Sequence, residues 1–110
     1  MLKNEHYRKL ENMMHSAPIV KLLGVRVEIS HGQADITLPV KQNLFHATGA
    51  LHGAMYFLAL DNAAFFAVNS TRTQYFAESI LYDAENREIA RGSGVFVKGK
   101  VKLTPEIGYK

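Results

Sequence analysis

A long apolar segment occupies the middle of the chain. Residues 53–68 read GAMYFLALDNAAFFAV, a run that only Asp61 and Asn62 interrupt. A helix without a polar face has to be covered by the rest of the domain. The residues that share a helical face with Asp61, three, four and seven positions away, are all apolar: Ala54, Phe57, Leu58, Ala64, Phe65 and Val68. We therefore expect Asp61 to be buried, and a buried carboxylate needs a partner or a function.

Two kinds of pattern precede this segment. Residues 2–15 predict an amphipathic helix, and Pro18 and Gly24 bound a second, shorter helical turn. Residues 25–30 and 33–38 alternate apolar and polar side chains on either side of His31-Gly32, which predicts a β-hairpin. The apolar face of the first helix comprises Leu2, His6, Leu10, Met13 and Met14.

The pattern changes again after Ser70. Residues 75–82 and 88–103 predict two strands joined by a turn at residues 83–86, and residues 104–110 read as a frayed tail. Gly92, Gly94 and Gly99 within the second strand indicate a bulge or the close approach of another backbone or a ligand. Strands around one helix, without βαβ alternation, predict an α+β fold in a single domain over residues 1–110.

Three lysines extend along the second of these strands. Lys98, Lys100 and Lys102 would share one face of it. Lysines commonly keep a sheet edge solvated, which is the simpler interpretation. Contact with an anionic ligand tail is the alternative.

Composition narrows the function classes. The 110 residues are 47% hydrophobic and carry a net charge of +3 from scattered Lys and Arg, which indicates neither a membrane span nor a nucleic-acid partner. The absence of Cys excludes disulfides, thiolate zinc sites and cysteine nucleophiles. The N-terminal residues lack an apolar signal core, so we expect a cytoplasmic protein. Because a chain this short buries a smaller share of its surface, we expect neighbouring subunits to supply further burial.

The candidate catalytic groups lie on one helix. His46 and His52 are six positions apart, so they do not share a helical face as metal ligands would, and no nucleophile elbow or nucleotide-binding loop is present. His52-Gly53 opens the apolar helix, where backbone N–H groups lie at the positive end of the helix dipole. Gly53 and Asp61 are about 12 Å apart along such a helix. They could therefore act on one group only if the substrate spans the helix or a second subunit supplies one of them.

The spacing of these residues matches a known motif. Gly49, His52, Gly53 and Asp61 fit a pattern N-x-x-G-x-x-H-G-G with an Asp nine residues after the His. In this motif, in the helix LALDNAAFFA and in the flanking strands, the chain resembles the hot-dog fold acyl-CoA thioesterases of the phenylacetic-acid-degradation type. The resemblance implies an antiparallel sheet wrapped around one long helix, with an additional N-terminal helix.

The resemblance also implies roles for residues. Asp61 would be the general base or nucleophile, the Gly53 N–H would bind the oxyanion, and His52 would orient the carbonyl or support the loop. The substrate would be an acyl-CoA, hydrolysed without a metal or other cofactor at the interface of a homodimer or a dimer of dimers. Further substrate contacts would come from His46, Gly49, Ala54 and Asn62.

Three departures from the family pattern keep other functions open. His46 stands where the family has Asn, Ala54 replaces the second Gly, and the segment for two central strands is missing after Ser70. A non-catalytic hot-dog module that binds an acyl chain or serves as an oligomeric scaffold is therefore the second hypothesis, with Asp61 as a structural acid. Hot-dog dehydratase chemistry is a third, disfavoured because the Pro-rich entry to the helix typical of those enzymes is absent.

Overall fold

Three helices and two hairpins make up the domain. A computed structural model describes residues 3–110, with side chains from residue 4 onward, so Leu2 of the predicted apolar face lies outside the described residues. The helices and strands are α1 (Lys3–Ser16), α2 (Pro18–Leu23), β1 (Arg26–Ser30), β2 (Gln33–Thr37), α3 (Gly53–Thr71), β3 (Phe76–Tyr82) and β4 (Glu88–Val95), with 3₁₀ turns at Gln42–Leu44 and Pro105–Ile107. The predicted α+β class and helix order are confirmed.

The main core lies between α1, α2 and the first hairpin. Gly24 ends α2 in the left-handed conformation, at φ 72°, which is the predicted glycine cap. The alternation in β1 buries Val27 and Ile29 and leaves their neighbours exposed. The largest fully buried side chains are those of Leu10 and Val25. They pack with Tyr7, Met14, Val20, Leu23, Val27, Ile29, Phe66 and Tyr109.

The four strands form two separate antiparallel pairs. β1 pairs with β2 and β3 pairs with β4, and among the described residues no strand joins the two sheets. Both sheets pack on α3. The chain passes from the end of α3 to β3 within a few residues. The absence of two further strands after Ser70, expected from the sequence, is therefore a feature of this part of the fold.

Glycines allow α3 to approach the second hairpin closely. A Cβ atom built at Gly94 would lie 2.7 Å from the Phe96 ring and 3.3 Å from the Cβ of Ala64. The Ser79 hydroxyl donates a 2.7 Å hydrogen bond to the Leu60 carbonyl, which ties β3 to the helix. Close approach is thus the reason for this glycine, and the bulge in the hairpin lies at Leu81/Tyr82 instead.

The predicted strand over residues 88–103 is too long. β4 ends at Val95, and the Phe96 N–H makes the last bond to the neighbouring strand, 2.7 Å from the Tyr75 carbonyl. No strand lies opposite residues 97–103 within the described chain, because β3 begins only at Phe76. The three lysines of this segment therefore do not share a strand face.

The predicted frayed tail is also wrong. Residues 105–107 form a 3₁₀ turn, and Tyr109 is only 6% exposed. Its hydroxyl lies 2.7 Å from Nδ1 of the buried His6 in α1. The burial of the Tyr109 ring and the hydrogen bond of its hydroxyl together anchor this end of the chain.

Candidate functional site

The start of α3 is organised by His52. Its φ of −63° and ψ of 135° place it at the N-cap, and its Nδ1 accepts a 2.9 Å hydrogen bond from the Ala54 N–H. The His52 N–H donates to the Leu44 carbonyl at 3.0 Å, which holds the preceding loop. Because Nδ1 is an acceptor, the neutral ring carries its proton on Nε2. His52 is therefore a helix cap, with Nε2 left as a possible donor.

The loop before the helix is a compact, exposed turn. The Gly49 N–H donates to the His46 carbonyl at 3.0 Å, and Gly49 has a φ of 88°, a conformation that requires glycine. The His46 Nδ1 lies 2.8 Å from the Thr48 hydroxyl. The rings of His46 and His52 meet edge to face, with centroids 6.3 Å apart. The tertiary structure thus brings together the two predicted histidines.

Gly53 offers an uncommitted backbone donor. Its N–H has no hydrogen-bond acceptor among residues 3–110, whereas the next N–H, that of Ala54, is taken by the His52 cap. A Cβ atom at Gly53 would meet nothing within 4 Å. Space around this glycine is therefore open in the single chain. An N–H at the first position of a long helix is suited to binding a developing negative charge.

Asp61 is exposed, contrary to the expectation that it would be buried. It makes no hydrogen bond or ion pair with the described residues, and its neighbour one turn earlier, Phe57, is 72% exposed. Apart from Ala59, the buried residues of α3 lie in its later part and include Ala64, Phe66 and Val68. The two hairpins are too few strands to surround a helix of 19 residues. An apolar stripe containing one carboxylate therefore faces outward.

Asn62 lies at the rim of an apolar cavity on another side of α3. Its amide nitrogen donates to the Leu58 carbonyl one turn back, at 2.8 Å. The cavity measures about 600 Å³, within the range of small-molecule pockets. Its apolar lining comes from α1, α2, α3 and the C-terminal turn and includes Met13, Ala17, Ile19, Leu58, Phe66 and Ile107.

The sequence prediction missed this cavity. Its walls come from segments far apart in the chain, and the apolar stripe of α1 by itself predicts only an amphipathic helix. The exposure of Ile19, 52%, is the local sign that α2 does not bury all of its apolar residues. No periodicity within a single element could have shown that these walls enclose a space.

The described residues do not include a cluster of possible metal ligands. Among residues 3–110 no three His, Asp or Glu side chains lie close enough to hold an ion. Likewise, none of the helices described is both long and apolar enough to cross a bilayer.

Comparison with solved structures decides the fold. The E. coli PaaI protein from the phenylacetic acid degradation operon superposes with a TM-score of 0.65 at 14% identity, over 90% of this chain and 98% of that one. The chain has a hot-dog fold. A thioesterase family protein from Silicibacter pomeroyi matches this hot-dog domain with a TM-score of 0.57 at 22% identity, over 69% of this chain and 57% of that one. No protein-family model and no curated protein sequence matches the chain.

Proposed function

We propose that this hot-dog domain hydrolyses an acyl-CoA thioester to the free acid and coenzyme A. The observation that carries the proposal is the pair of uncommitted groups on α3, the Gly53 N–H at its start and the Asp61 carboxylate two turns later. One is a donor for an oxyanion, and the other is an acceptor for a proton. The thioesterase description of the Silicibacter pomeroyi protein supports this reaction class.

The chemistry balances without a cofactor. Asp61 as general base takes a proton from water while the water oxygen bonds to the thioester carbon, and the displaced electron pair moves to the carbonyl oxygen facing the Gly53 N–H. When the carbonyl re-forms, the C–S bond breaks and the thiolate of coenzyme A takes the proton from Asp61. As a nucleophile, Asp61 would instead attack the thioester carbon and break the C–S bond, so that the thiolate of coenzyme A leaves and is protonated by water. Hydroxide or water then cleaves the resulting anhydride to the free acid and the Asp61 carboxylate.

One chain does not bring these two groups together. Eight residues of helix separate them, about 12 Å at 1.5 Å per residue. The proposed site therefore combines Gly53 and His52 of one chain with Asp61 of a second in a homodimer or dimer of dimers. The exposed stripe with Phe57 and Asp61 is a surface that such a partner would cover. His46, Gly49 and Ala54 would surround the substrate at this site. Asn62, which lines the cavity on another side of α3, would contact only a part of the substrate that reaches that cavity.

The test compares Asp61→Asn with Glu78→Gln, the same carboxylate-to-amide change at an exposed position on β3. Release of free thiol is followed over a panel of acyl-CoAs. We expect Asp61→Asn to lower kcat roughly a hundredfold or more, as removal of a general base does, while Glu78→Gln stays near wild type. Equal rates for wild type and a folded Asp61→Asn protein would refute the catalytic role.

Gly53 permits a second, sharper test. Gly53→Pro removes the N–H from a helix position that tolerates proline, and the His52 ψ of 135° already suits a residue that precedes proline. Gly53→Ala keeps the N–H and is the control. If two chains build each site, an equimolar mixture of Asp61→Asn and Gly53→Pro chains recovers about a quarter of wild-type activity, because about half of the dimers are mixed and each mixed dimer has one intact site of two. No recovery from dimers shown to have mixed would contradict a shared site.

A non-catalytic acyl-binding module is the second candidate. The observation that favours it is the apolar cavity of about 600 Å³ beside Leu58 and Phe66. Ala17→Phe would fill the cavity, and Ala84→Phe in the exposed hairpin turn is the control. Tight binding of an acyl-CoA that Ala17→Phe abolishes, with no thiol release from wild type, would establish this function.

A further inference from the structure

The outer edge of the first hairpin is closed on one side. The β1 N–H groups of Val27 and Ile29 donate to side chains of α1, to His15 Nε2 at 3.0 Å and to Glu11 Oε2 at 2.7 Å. Arg8 of the same helix donates to the Ile29 carbonyl at 2.7 Å. Helix α1 thus occupies the edge at which another strand would otherwise pair.

The opposite edge of the same hairpin is open. Val27 pairs with Ile36 and Ile29 pairs with Ala34. In an antiparallel pair, opposed residues direct their backbone groups either toward each other or both away. Because those of Val27 and Ile29 point away, those of Ala34 and Ile36 do too, and none has a hydrogen-bond partner among residues 3–110. β2 therefore presents a ready edge for an added strand.

The chain also contains a strand pattern without a strand to pair with. Residues 97–103, VKGKVKL, alternate apolar or glycine positions with lysine, yet none of their backbone groups is hydrogen-bonded in the described chain. Val97 is 87% exposed and Val101 is 76% exposed. A period-two segment with apolar side chains in solvent gains burial and hydrogen bonds by joining a sheet.

Charge decides between the possible occupants of the β2 edge. Pairing of β2 with β2 of a second copy around Asp35 would set two carboxylates opposite each other, which is unfavourable. If residues 97–103 paired with β2 instead, Val97 and Val101 would lie on the same face of the sheet as the half-buried Ala34 and Ile36. Lysines would then lie on the exposed side with Asp35. We propose that residues 97–103 of a second copy add as a strand to the β2 edge.

The absence of cysteine makes this pairing directly testable. Three single variants, Lys98→Cys, Lys100→Cys and Lys102→Cys, are prepared. Each is mixed separately with Asp35→Cys protein, and the mixture is oxidised. We expect disulfide-linked heterodimers from at least one of these mixtures. Lys21→Cys on α2 is the control partner and should yield none. Equal yields from the control mixture, or no heterodimer from any lysine position, would overturn the proposal.

A charge-reversal variant tests the same pairing in solution. Wild type should sediment at twice the 12.3 kDa chain mass at high concentration. The double variant Lys98→Glu/Lys102→Glu should self-associate about tenfold more weakly, because acids then lie near Asp35. Lys21→Glu/Lys41→Glu has the same net charge and should behave as wild type. A monomer at all concentrations, or equal weakening by both variants, would contradict the pairing.

Amide exchange identifies the edge itself. The N–H groups of Ala34 and Ile36 should become protected at concentrations where dimers form, and a synthetic peptide of residues 96–104 should protect them in dilute protein. Dimers that leave both amides unprotected would refute the edge assignment. Equal protection by a peptide with the same composition in scrambled order would show a general strand acceptor rather than a self-pairing site. The cross-linking and amide-exchange measurements report on the β2 edge itself and not on activity. A dimer formed only through α3 would therefore refute this pairing and leave the proposed hydrolysis standing.

Discussion

The imidazole Nδ1 of His6 lies 2.7 Å from the hydroxyl oxygen of Tyr109, a contact between residues 103 positions apart. The other ring nitrogen, Nε2, lies 2.9 Å from the Asn69 carbonyl and must donate to it. Nδ1 is therefore an acceptor, and it receives bonds from the Tyr109 hydroxyl and from Arg72 Nη2 at 3.0 Å. The first helix, the end of α3 and the C-terminal residues are joined at this one ring.

Removing the Tyr109 hydroxyl tests that junction. Tyr109→Phe keeps the buried ring but removes a donor to His6, so we expect a loss of about 1 kcal/mol in the free energy of unfolding. Tyr75→Phe removes a hydroxyl from a ring that is 47% exposed and should change stability by less than about 0.5 kcal/mol. Urea unfolding of both variants gives the comparison. Equal effects would show that the hydrogen bond does not contribute.

The free energy of unfolding should fall as the pH drops below the pKa of an ordinary histidine. Burial, and secondarily the positive charge of Arg72, lower the pKa of His6, although its bond to the Asn69 carbonyl opposes this. Burial and Arg26 likewise lower the pKa of His15, whose Nε2 accepts the Val27 N–H. The unfolded chain then binds more protons than the folded chain. Both contributions are thus complete above the unfolded pKa of about 6.5 and are lost as the pH falls below it.

The measurement is the urea midpoint of unfolding at several pH values between about 5.5 and 8. The lower limit is chosen because carboxylates begin to titrate below it. His6→Gln should flatten the pH dependence in part, and His15→Gln should flatten the remainder. His31→Gln in the exposed hairpin turn is the control and should keep the wild-type slope. A slope that survives replacement of both the buried His6 and the half-buried His15 would exclude them as its source.

Two glycines of the predicted motif should respond differently to alanine. Gly49→Ala forces a side chain into a φ of 88° and should cost about 1 kcal/mol or more. Gly53→Ala adds a Cβ into open space within a helix, so stability should be unchanged or slightly higher. Thermal unfolding distinguishes the two. If Gly53→Ala loses stability, the added Cβ atom is crowded by a second chain. Repeating the measurement on dilute protein tests this, because the loss should then disappear.

The cap role of His52 can be separated from any role toward substrate. His52→Ala loses the acceptor for the Ala54 N–H and should cost about 1 kcal/mol. His52→Asn restores a good N-cap and should recover most of that stability. If thiol release stays low in the Asn variant, Nε2 of His52 acts on the substrate. If activity returns with stability, His52 serves only to start the helix.

Local patterns were sufficient for most of the elements. The alternation of Val27 and Ile29 with polar neighbours predicts β1 because strand side chains have a period of two. The glycine after α2 predicts its end because glycine readily adopts the left-handed conformation in which many helices end. The loop histidine, His46, and the helix cap, His52, were predicted near the site, but their edge-to-face contact depends on how the loop closes.

The sequence by itself determined which residues can form each helix and hairpin, because backbone sterics and side-chain period act over a few neighbouring positions. Only the tertiary structure decided that Asp61 is exposed, that residues 97–103 have no strand to pair with and that Tyr109 is buried. Each of these depends on which surfaces lie opposite one another. With only two separate hairpins packed on one long helix, the number of strands limits how much of the surface of α3 is covered.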